Sequence, residues 1–544
     1  MEFSVAAIHE AIAASRPDAE CLVFRERRLT WAQVTERTRR LANHLIHSGL
    51  GVHVERSRLA GHESGQDHLA VYLHNGNEYL ESMLGAFKAR VAPFNVNYRY
   101  VAEELRYLLY DSNAAAIVVH SQFASRLTEV LPALPNLRVI LQVPDESGND
   151  LLPGAVWYED ALAAASPERP AVDWSADDLY ILYTGGTTGM PKGVLWRNSD
   201  ANIECFGGSD AETLERVVAL ASGGLKALLA APFMHGAGHW MSFRTWNLGG
   251  VVYVQSIPDR LDPADIWSLV ERERLNFLLI VGDAFARPLL DELASASYDL
   301  QSLTVLLSGG AALSVGLKEK FLEHLPSLLI VDGLGSSEAG GQLAHVSAGN
   351  RATTGTFAIS PGNHVLSADL DRALRPGEEE LGWLAKSGRL ALGYLGDAAK
   401  TERTYPVIDG MRYAVPGDRA KLRADGVVEL HGRDAATINS GGEKIFAEEV
   451  EAAIKAHPGV YDCVVAGRPS DRWGNEVVAV VHMRSGCPAD EASLLAEAEQ
   501  HLARYKLPKA FVFVAEVVRS PSGKADYRWA KQIAANSSGV GQSV

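Results

Sequence analysis

The sequence predicts an α/β protein with a large N-terminal domain and a small α+β C-terminal domain. Residues 1 to about 170 alternate between helical and strand-like patterns. Residues 171 to about 360 carry continuous apolar runs, most of which end at glycine or small residues, as strands buried on both faces do. After Gly432-Arg433 the pattern changes again and resembles a compact module of about 100 residues.

These patterns divide the 544 residues, which are too many for one ordinary domain. We expect residues 1–433 to form two layered α/β subdomains and a small β subdomain. The C-terminal domain is expected over residues 434–535. Residues 536–544 (NSSGVGQSV) are predicted to be a disordered tail.

Helices and strands can be assigned in chain order from hydrophobic periodicity. In the first subdomain the patterns predict a helix over 31–50, a strand over 68–73, a helix over 77–90, and strands over 116–120 and 139–143. The polar segment 51–67 is predicted to be an exposed loop. The runs LYILYT, KALLAAPF, VVYVQ, FLLIVG, LTVLLSGG and LLIVDGLG predict the strands of the second subdomain.

Shorter patterns follow. Pro-Gly and Asp-Gly turn signals between residues 361 and 433 predict a β-rich subdomain. The C-terminal module is expected to contain a helix over 448–457, strands at 464–465 and 477–482, and a helix over 489–505.

Composition and charge restrict the function classes. The chain is 47% hydrophobic and 22% charged, with 51 basic and 67 acidic residues and a net charge of −16. Such a surface repels phosphate backbones, which argues against nucleic acid as the main partner. The four cysteines have no paired spacing and predict no disulfide framework or metal site, which fits a reducing cytoplasm. The N-terminal segment is predicted to be an amphipathic helix rather than a signal peptide.

No apolar run approaches the roughly 20 residues that a membrane span needs. This predicts no integral membrane segment. It leaves room for peripheral association through an apolar patch.

A glycine- and threonine-rich loop, YTGGTTGMPKGV, follows the apolar run at 179–182. Glycines let backbone amides approach an anion, threonine hydroxyls donate hydrogen bonds, and lysine adds a mobile charge. The loop therefore predicts a polyphosphate site. Its candidate binding residues are Thr184, Gly185, Gly186, Thr187, Thr188, Gly189 and Lys192. It is not a Walker P-loop, because Lys192 stands between proline and glycine.

The loop resembles the phosphate loop of the adenylate-forming superfamily, which includes acyl-CoA synthetases, luciferases and peptide-synthetase adenylation domains. Relatives usually have Ser-Gly where this chain has Gly185-Gly186. The chain is identified as a member of the acyl-CoA synthetases of this superfamily, and further motifs occur in the family's order between residues 183 and 528. Several flanking segments are similar to actinobacterial CoA ligases acting on steroid side-chain acids.

The segment PFMHGAG (232–238) resembles the family's substrate-side motif, in which His235 would gate the acyl pocket. Trp240, Phe243 and Trp246 would add an apolar wall. Amino-acid-activating relatives carry an aspartate here. This chain has none between Pro232 and Trp246, which counts against a peptide-synthetase domain.

Two glycine-rich segments complete the expected nucleotide site. The resemblance implies that Gly309, Gly310 and Ala311 pack on adenine, and that Asp332, Gly333 and Ser337 also contact the nucleotide. Glu338 is the candidate Mg²⁺ ligand, because magnesium takes few protein carboxylates beside phosphate oxygens. Relatives usually stack an aromatic residue on adenine at the place of Leu334.

The resemblance further implies that Asp418 and Arg433 hold the ribose. A hinge would follow, where this chain has Ala435-Ala436 instead of the usual lysine. The remaining predicted cofactor-binding residues are Gly441, Gly442 and Lys444, near the thiol channel.

The segment RSPSGKADYR presents Lys524 from a tight loop near the end of the chain. Its position matches the family's catalytic lysine, which stabilises charge as the acyl phosphate forms. The resemblance implies an ATP-dependent acyl-CoA synthetase that uses ATP, Mg²⁺ and coenzyme A on a bulky apolar acid. It also implies a mobile C-terminal domain and a monomer or homodimer.

Two alternatives remain at this point. One is another adenylating enzyme that does not use CoA, such as an acyl-AMP ligase loading a carrier protein or a luciferase-like oxygenase. The other is a non-catalytic regulator that binds ATP or acyl-AMP.

Overall fold

The structure is a computed structural model that describes residues 2–184, 190–349, 352–433, 436–440, 443–470, 474–520 and 523–537, and only the backbone of residues 433, 443 and 444.

The N-terminal stretch alternates helices and strands as predicted. Its elements are α1 (Val5–Ser15), β1 (Glu20–Phe24), β2 (Arg27–Thr30), α2 (Trp31–His47), β3 (His68–Tyr72), α3 (Asn77–Lys88), β4 (Ala92–Asn95), α4 (Ala102–Asp111), β5 (Ala114–His120), α5 (Ala124–Val130), β6 (Val139–Val143), β7 (Val156–Trp157) and α6 (Tyr158–Ala164). Helix α2 begins where it does because Thr30 and Gln33 form a reciprocal capping box.

The next stretch carries the long apolar runs. Its elements are β8 (Leu179–Thr184), β9 (Lys192–Arg197), α7 (Asn198–Glu204), α8 (Leu214–Leu220), β10 (Lys226–Leu229), α9 (Gly236–Asn247), β11 (Val251–Val254), α10 (Pro263–Glu273), β12 (Phe277–Ile280), α11 (Gly282–Ser295), β13 (Val305–Gly309), α12 (Val315–His324), β14 (Leu329–Ser336) and β15 (Gly340–Ser347).

Short strands dominate the third stretch. They and one helix are β16 (Thr356–Ala358), β17 (Asn363–Leu366), β18 (Gly382–Ser387), β19 (Gly393–Tyr394), α13 (Ala398–Thr404), β20 (Val407–Ile408), β21 (Met411–Ala414), β22 (Asp418–Leu422) and β23 (Val427–Arg433).

The C-terminal module contains β24 (Thr437–Ser440), β25 (Glu443–Phe446), α14 (Ala447–Lys455), β26 (Val460–Ser470), β27 (Gly474–Met483), α15 (Glu491–His501), β28 (Ala510–Phe513) and α16 (Tyr527–Asn536). Helix α15 is shorter than the predicted 489–505. Most of the predicted tail, residues 538–544, lies outside the described residues.

Two eight-stranded sheets form the body of the N-terminal domain. The first has the order β19-β9-β8-β4-β3-β5-β6-β7, and the second has the order β15-β14-β13-β12-β10-β11-β1-β2. Strands β10 to β14 pair in parallel, as their continuous apolar sequences predict. One buried core extends across both sheets and their helices.

Each sheet contains strands from both sides of residue 170, so the expected subdomain boundary near residue 170 is wrong. Strand β1 pairs in parallel with β11, and β8 joins the first sheet beside β4. The local pattern identifies a strand but not its partner, since pairing depends on contacts distant in sequence. The β-rich subdomain is the third sheet, β16-β23-β22-β18-β21-β20 with β17 beside β18.

The C-terminal module has its own core on both faces of the sheet β26-β27-β28. Within the described part of the chain, no helix is long and apolar enough to cross a membrane.

Candidate active site

A single large cleft collects most of the predicted site residues. It has a volume of about 2350 Å³ and is lined by the segments that follow β10, β12 and β13, by the β-rich subdomain, and by the loop carrying Lys524. A site for one small ligand has roughly 300–1,000 Å³. The cleft therefore has room for a nucleotide and an organic acid together.

The predicted phosphate loop connects β8 to β9, and Thr184 at the end of β8 lines the cleft. Thr184 ends β8 and pairs with Lys192 at the start of β9. Gly185, Gly186, Thr187, Thr188 and Gly189 lie outside the described residues.

Lys192 is paired with a carboxylate at the end of α4. Its Nζ lies 3.4 Å from Asp111 Oδ1 and 5.9 Å from the centre of the Tyr107 ring. The Tyr183 hydroxyl donates to the other Asp111 oxygen at 2.9 Å. Burial opposes charge on Lys192, but hydrogen bonds to Tyr107 and Asp111 outweigh it and raise its pKa. No local pattern predicts this carboxylate at the end of α4 as the partner of Lys192.

Glu338 lies in the turn between β14 and β15, and three aromatic residues fix that turn. The Tyr394 hydroxyl donates to Glu338 Oε1 at 2.7 Å, and the Tyr405 hydroxyl donates to the Glu338 carbonyl at 3.4 Å. The Trp196 indole donates to the carbonyl of Ser337 at 2.8 Å. The candidate carboxylate is therefore oriented before any ligand binds.

A buried lysine supports the same turn from behind. Lys386 donates to the carbonyls of Ala339 and Gly341 and pairs with Glu204. Its ammonium group donates hydrogen bonds to two backbone carbonyls that would otherwise be buried without a donor. Sequence reasoning missed Lys386 and Glu204, because nothing local distinguishes them from surface residues.

The surroundings of Glu338 fit a magnesium ion better than a metal held by protein alone. Among the described residues no group of three or more histidine, cysteine, aspartate or glutamate side chains could hold a metal. Mg²⁺ needs no such cage, since it is held by one or two carboxylates together with phosphate oxygens. A single oriented carboxylate beside a predicted phosphate loop meets that requirement.

The predicted adenine segments lie side by side at the ends of two parallel strands. Gly309 on β13 is in register with Gly333 on β14. Gly310 and Ala311 follow directly and line the cleft. Gly310 has a φ of +87°, which a residue with a Cβ rarely adopts. Packed glycines here leave a flat backbone surface.

Asp332 lies inside strand β14, within the run LLIVDGLG that predicts this strand. Buried Lys318 donates to its carboxylate and to the Thr354 hydroxyl. This carboxylate is thus already engaged with protein, although the residue lines the cleft. Leu334, at the expected stacking place, also lines the cleft and packs against the core of the β-rich subdomain.

The two predicted ribose residues are direct cross-strand partners. Asp418 on β22 is in register with Arg433 on β23. Asp418 is 4% exposed and lines the cleft. Only the backbone of Arg433 is described, but its register places it next to Asp418 at the end of the sheet.

His235 lies at the N-cap of α9, on the predicted acid side of the cleft. Its Nε2 is shielded from solvent and has no hydrogen-bond partner among the described residues. Burial, with a further contribution from the charge of Lys524, lowers the pKa of His235 to about 3. The imidazole is therefore neutral at physiological pH.

A buried network next to His235 was not predicted. His239 Nδ1 donates to the Phe233 carbonyl at 2.6 Å, so its Nε2 can accept from the Tyr180 hydroxyl at 2.5 Å. The Trp240 indole donates to the same hydroxyl at 2.8 Å. This network fixes Trp240 in the cleft wall. The signal available in the sequence was the pair of histidines at i and i+4 around the start of a helix.

One face of α9 lines the acid side of the cleft. The residues are spaced i, i+3, i+4 and i+7 along the helix: Ala237, Trp240, Met241 and Arg244. The predicted Phe243 and Trp246 are instead buried in the protein core. The predicted apolar wall is thus on the correct helix. Of its three predicted residues, only Trp240 faces the cleft, because helical periodicity directs Phe243 and Trp246 into the core.

The loop carrying Lys524 is docked against the N-terminal domain. Arg519 makes a bidentate ion pair with Asp462 and donates to the Gly523 carbonyl at 3.0 Å. A Cβ on Gly523 would meet the Val281 carbonyl at 3.1 Å, and a Cβ on Gly310 would meet Lys524 Cε at 3.7 Å. Lys524 therefore extends to the same wall as the predicted adenine segment.

The predicted hinge and thiol-channel residues are only partly described. Ala435, Gly441 and Gly442 lie outside the described residues, and only the backbone of Lys444 is described. Ala436 is buried in the core of the C-terminal module. Lys444 pairs with Asn439 across the hairpin of β24 and β25.

Comparison with known proteins agrees with this arrangement. Residues 9–395 match the family described as AMP-binding enzyme, and residues 449–524 match the AMP-binding enzyme C-terminal domain. The chain is 53% identical to the medium-chain acyl-CoA ligase Mig of Mycobacterium avium, over 98% of both chains. It is 40% identical to a medium/long-chain-fatty-acid and 3-oxocholest-4-en-26-oate CoA ligase of Mycolicibacterium smegmatis, over 98% of this chain and 97% of the relative.

The fold is that of a solved anthranilate CoA ligase in complex with anthranoyl-AMP. The TM-score is 0.81 at 20% identity, over 98% of both chains. This likeness confirms the predicted fold class, with a large N-terminal and a small C-terminal domain. The chain belongs to the AMP-binding enzyme family and, within it, to the AMP-forming acyl-CoA ligases.

Proposed function

We propose that the cleft joins a bulky apolar carboxylic acid to AMP and then transfers the acyl group to coenzyme A. The observation that carries this proposal is the position of Lys524. Its side chain reaches the wall at Gly310, and its charge acts on His235, in the cleft that Glu338 also lines. A cation there can neutralise a carboxylate and a phosphate as they approach each other.

In the first half-reaction a carboxylate oxygen forms a bond to the α-phosphorus of ATP. The bond to the bridging oxygen breaks, and pyrophosphate leaves with the electron pair. The loop from Thr184 to Lys192 would hold the phosphates, Asp418 and Arg433 the ribose, and the segments at 309–311 and 332–337 the adenine side. Positioning and charge stabilisation account for the catalysis, because the transfer needs no protein nucleophile.

Mg²⁺ would be held by Glu338 and would supply positive charge to the phosphate oxygens. Tyr394 orients this carboxylate through the hydrogen bond to Oε1. Trp196 and Lys386 donate to backbone carbonyls of the same turn. They therefore hold the turn in place and do not bind the ion.

In the second half-reaction the thiol of coenzyme A loses its proton, its sulfur attacks the acyl carbon, and AMP leaves. We propose that residues 434–535 rotate about 434–436 between the two steps. That motion would withdraw Lys524 and bring Gly441, Gly442 and Lys444 to the thiol channel. Ala435-Ala436 are compatible with a hinge, which has only to absorb a backbone rotation.

The acid is proposed to be a medium- or long-chain fatty acid or a steroid side-chain acid. Support comes from the ligase names of the relatives at 53% and 40% identity, and from the apolar residues of α9 that line the cleft. His235 would stand at the entrance of this acyl pocket as a neutral side chain. A carrier-protein ligase or a non-catalytic regulator is less well supported by these relatives.

The setting is proposed to be the cytoplasm, with the enzyme as a monomer or homodimer and any membrane contact peripheral. None of the four cysteines forms a disulfide, and three are buried. Free thiols are typical of a reducing compartment.

A screen for AMP release tests this proposal. Fatty acids of graded length, aryl acids and 3-oxo steroid side-chain acids are incubated with ATP and Mg²⁺, each with and without coenzyme A. We expect AMP and acyl-CoA with coenzyme A, and only a single turnover of pyrophosphate without it. Multiple turnovers without coenzyme A, or no turnover with any acid, would contradict the proposal.

A further inference from the structure

The side of the cleft next to Glu338 contains a second lysine, Lys400, which lines it from helix α13. Its Nζ lies 3.9 Å from the centre of the Tyr394 ring. The hydroxyl of that ring donates to Glu338. Lys400 is thus linked to the candidate Mg²⁺ ligand through one aromatic side chain.

Strand pairing brings the segment before Lys400 next to β9, the strand that follows the predicted phosphate loop. Tyr394 on β19 is in register with Val194 on β9, two residues after Lys192. The amide of Leu395 donates to the Gly193 carbonyl at 2.8 Å. Residues 393–395 therefore lie along β9, and helix α13, which carries Lys400, begins at Ala398.

Lys192 and Lys400 differ in whether a carboxylate of the protein already pairs with their positive charge. Lys192 is paired with Asp111. No carboxylate of the described residues forms an ion pair with Lys400, whose ammonium group lies over the ring face of Tyr394. A cation on an aromatic face keeps its charge and its N–H donors for a further partner.

Partial burial leaves Lys400 poorly solvated, and this is the largest cause that lowers its pKa. Glu338 and Asp397 favour its charge, and the weaker effects of Lys192 and Arg403 oppose it. A bound phosphate would replace the missing hydration with charge-assisted hydrogen bonds.

We propose that Lys400 is a further polyphosphate ligand, which binds the β- and γ-phosphates of ATP and holds them as they leave as pyrophosphate. This inference rests on the proposed adenylation chemistry. Negative charge accumulates on the leaving pyrophosphate as its bond to the α-phosphorus breaks. Lys400 stabilises that charge, while Lys524 acts on the acid side.

The reverse of the first half-reaction isolates this role. Enzyme is mixed with the acyl-AMP of the preferred acid and with pyrophosphate, and ATP formation is measured. Lys400→Met keeps an unbranched side chain on the Tyr394 ring but removes the charge. We expect the KM for pyrophosphate to rise about 10- to 100-fold, the range for a charged hydrogen bond. Lys400→Arg should restore part of the loss.

Two controls separate a ligand from a structural residue. Thioester formation from the same acyl-AMP and coenzyme A involves no pyrophosphate, so Lys400→Met should leave its rate unchanged. Arg403→Met removes an exposed cation from the same helix and should leave both reactions unchanged.

Three results have defined meanings. An unchanged KM for pyrophosphate in Lys400→Met overturns the inference. Equal loss of both half-reactions also overturns it, because Lys400 would then be a structural residue. If the unaltered enzyme forms no ATP from acyl-AMP and pyrophosphate, the proposed function itself fails.

Discussion

Lys524 Cε lies 3.7 Å from the point that a Cβ on Gly310 would occupy, although the two residues belong to different domains. Gly310 has a φ of +87° and is the middle residue of the segment predicted to contact adenine. The contact couples the docking of the C-terminal module to the nucleotide wall. If the C-terminal module had another orientation, Lys524 would no longer reach the wall at Gly310.

Replacing Glu338 by glutamine tests the candidate Mg²⁺ ligand. The amide oxygen can still accept from Tyr394, but the negative charge is lost. We expect the rate of acyl-AMP formation to fall about 100-fold or more, as for loss of one electrostatic stabiliser. Thioester formation from supplied acyl-AMP should be unaffected. The measurement is pyrophosphate release at graded Mg²⁺ concentrations.

Tyr394→Phe is the matched control for that variant, since it keeps the ring and removes the hydroxyl that donates to Glu338. It should cost less activity than Glu338→Gln. If Glu338→Gln released pyrophosphate as fast as the unaltered enzyme at every Mg²⁺ concentration, Glu338 would not be the metal ligand.

The network around Tyr180 predicts a stability effect. Tyr180→Phe leaves both the His239 Nε2 and the Trp240 indole without their buried partner. An orphaned buried polar group costs about 1–3 kcal/mol. We therefore expect the free energy of unfolding in urea to fall by about 2 kcal/mol or more. Tyr110→Phe, at a 72% exposed residue, should change it little; equal effects would refute the network's role.

Buried histidines predict a pH dependence of stability. Burial lowers the pKa of His120 to about 4, and that of His239 likewise to about 4. The unfolded chain takes up these protons near pH 6.5, but the folded chain does so only near pH 4. The stabilising contribution is therefore complete above pH 6.5 and is lost as the pH falls towards 4.

Glu78 acts in the opposite direction, because burial raises its pKa to about 7. The histidine contribution is therefore measured as a difference between variants, from urea unfolding at pH 5 and pH 7. His120→Gln should lose less stability between the two pH values than the unaltered protein. The exposed His47→Gln should behave like the unaltered protein. A pH dependence that His120→Gln leaves unchanged would rule out this origin.

The sequence was sufficient for the fold class and for residues that lie in recognisable motifs. Glu338 and Lys524 were predicted from glycine- and serine-containing segments in a fixed order, and the structure brings both to one cleft. Their predicted chemical roles remain to be tested. The strands of the second sheet were also predictable, because continuous apolar runs are typical of parallel strands.

Residues that act through tertiary contacts could not be predicted. Lys386 and Lys400 have no local pattern that separates them from solvated lysines. One gains its role by burial beneath a turn, and the other by packing on an aromatic ring. Strand β1 likewise pairs with β11, in a sheet whose strands other than β1 and β2 come from residues beyond 225, a pairing that no local periodicity encodes.

The central claim is that Lys524 serves the first half-reaction alone. The most direct measurement compares Lys524→Ala with the unaltered enzyme in separate half-reactions: pyrophosphate release from ATP and acid, and acyl-CoA formation from supplied acyl-AMP and coenzyme A. We predict that Lys524→Ala loses the first reaction and retains the second. Equal loss of both, or an unchanged rate of pyrophosphate release, would contradict the assignment.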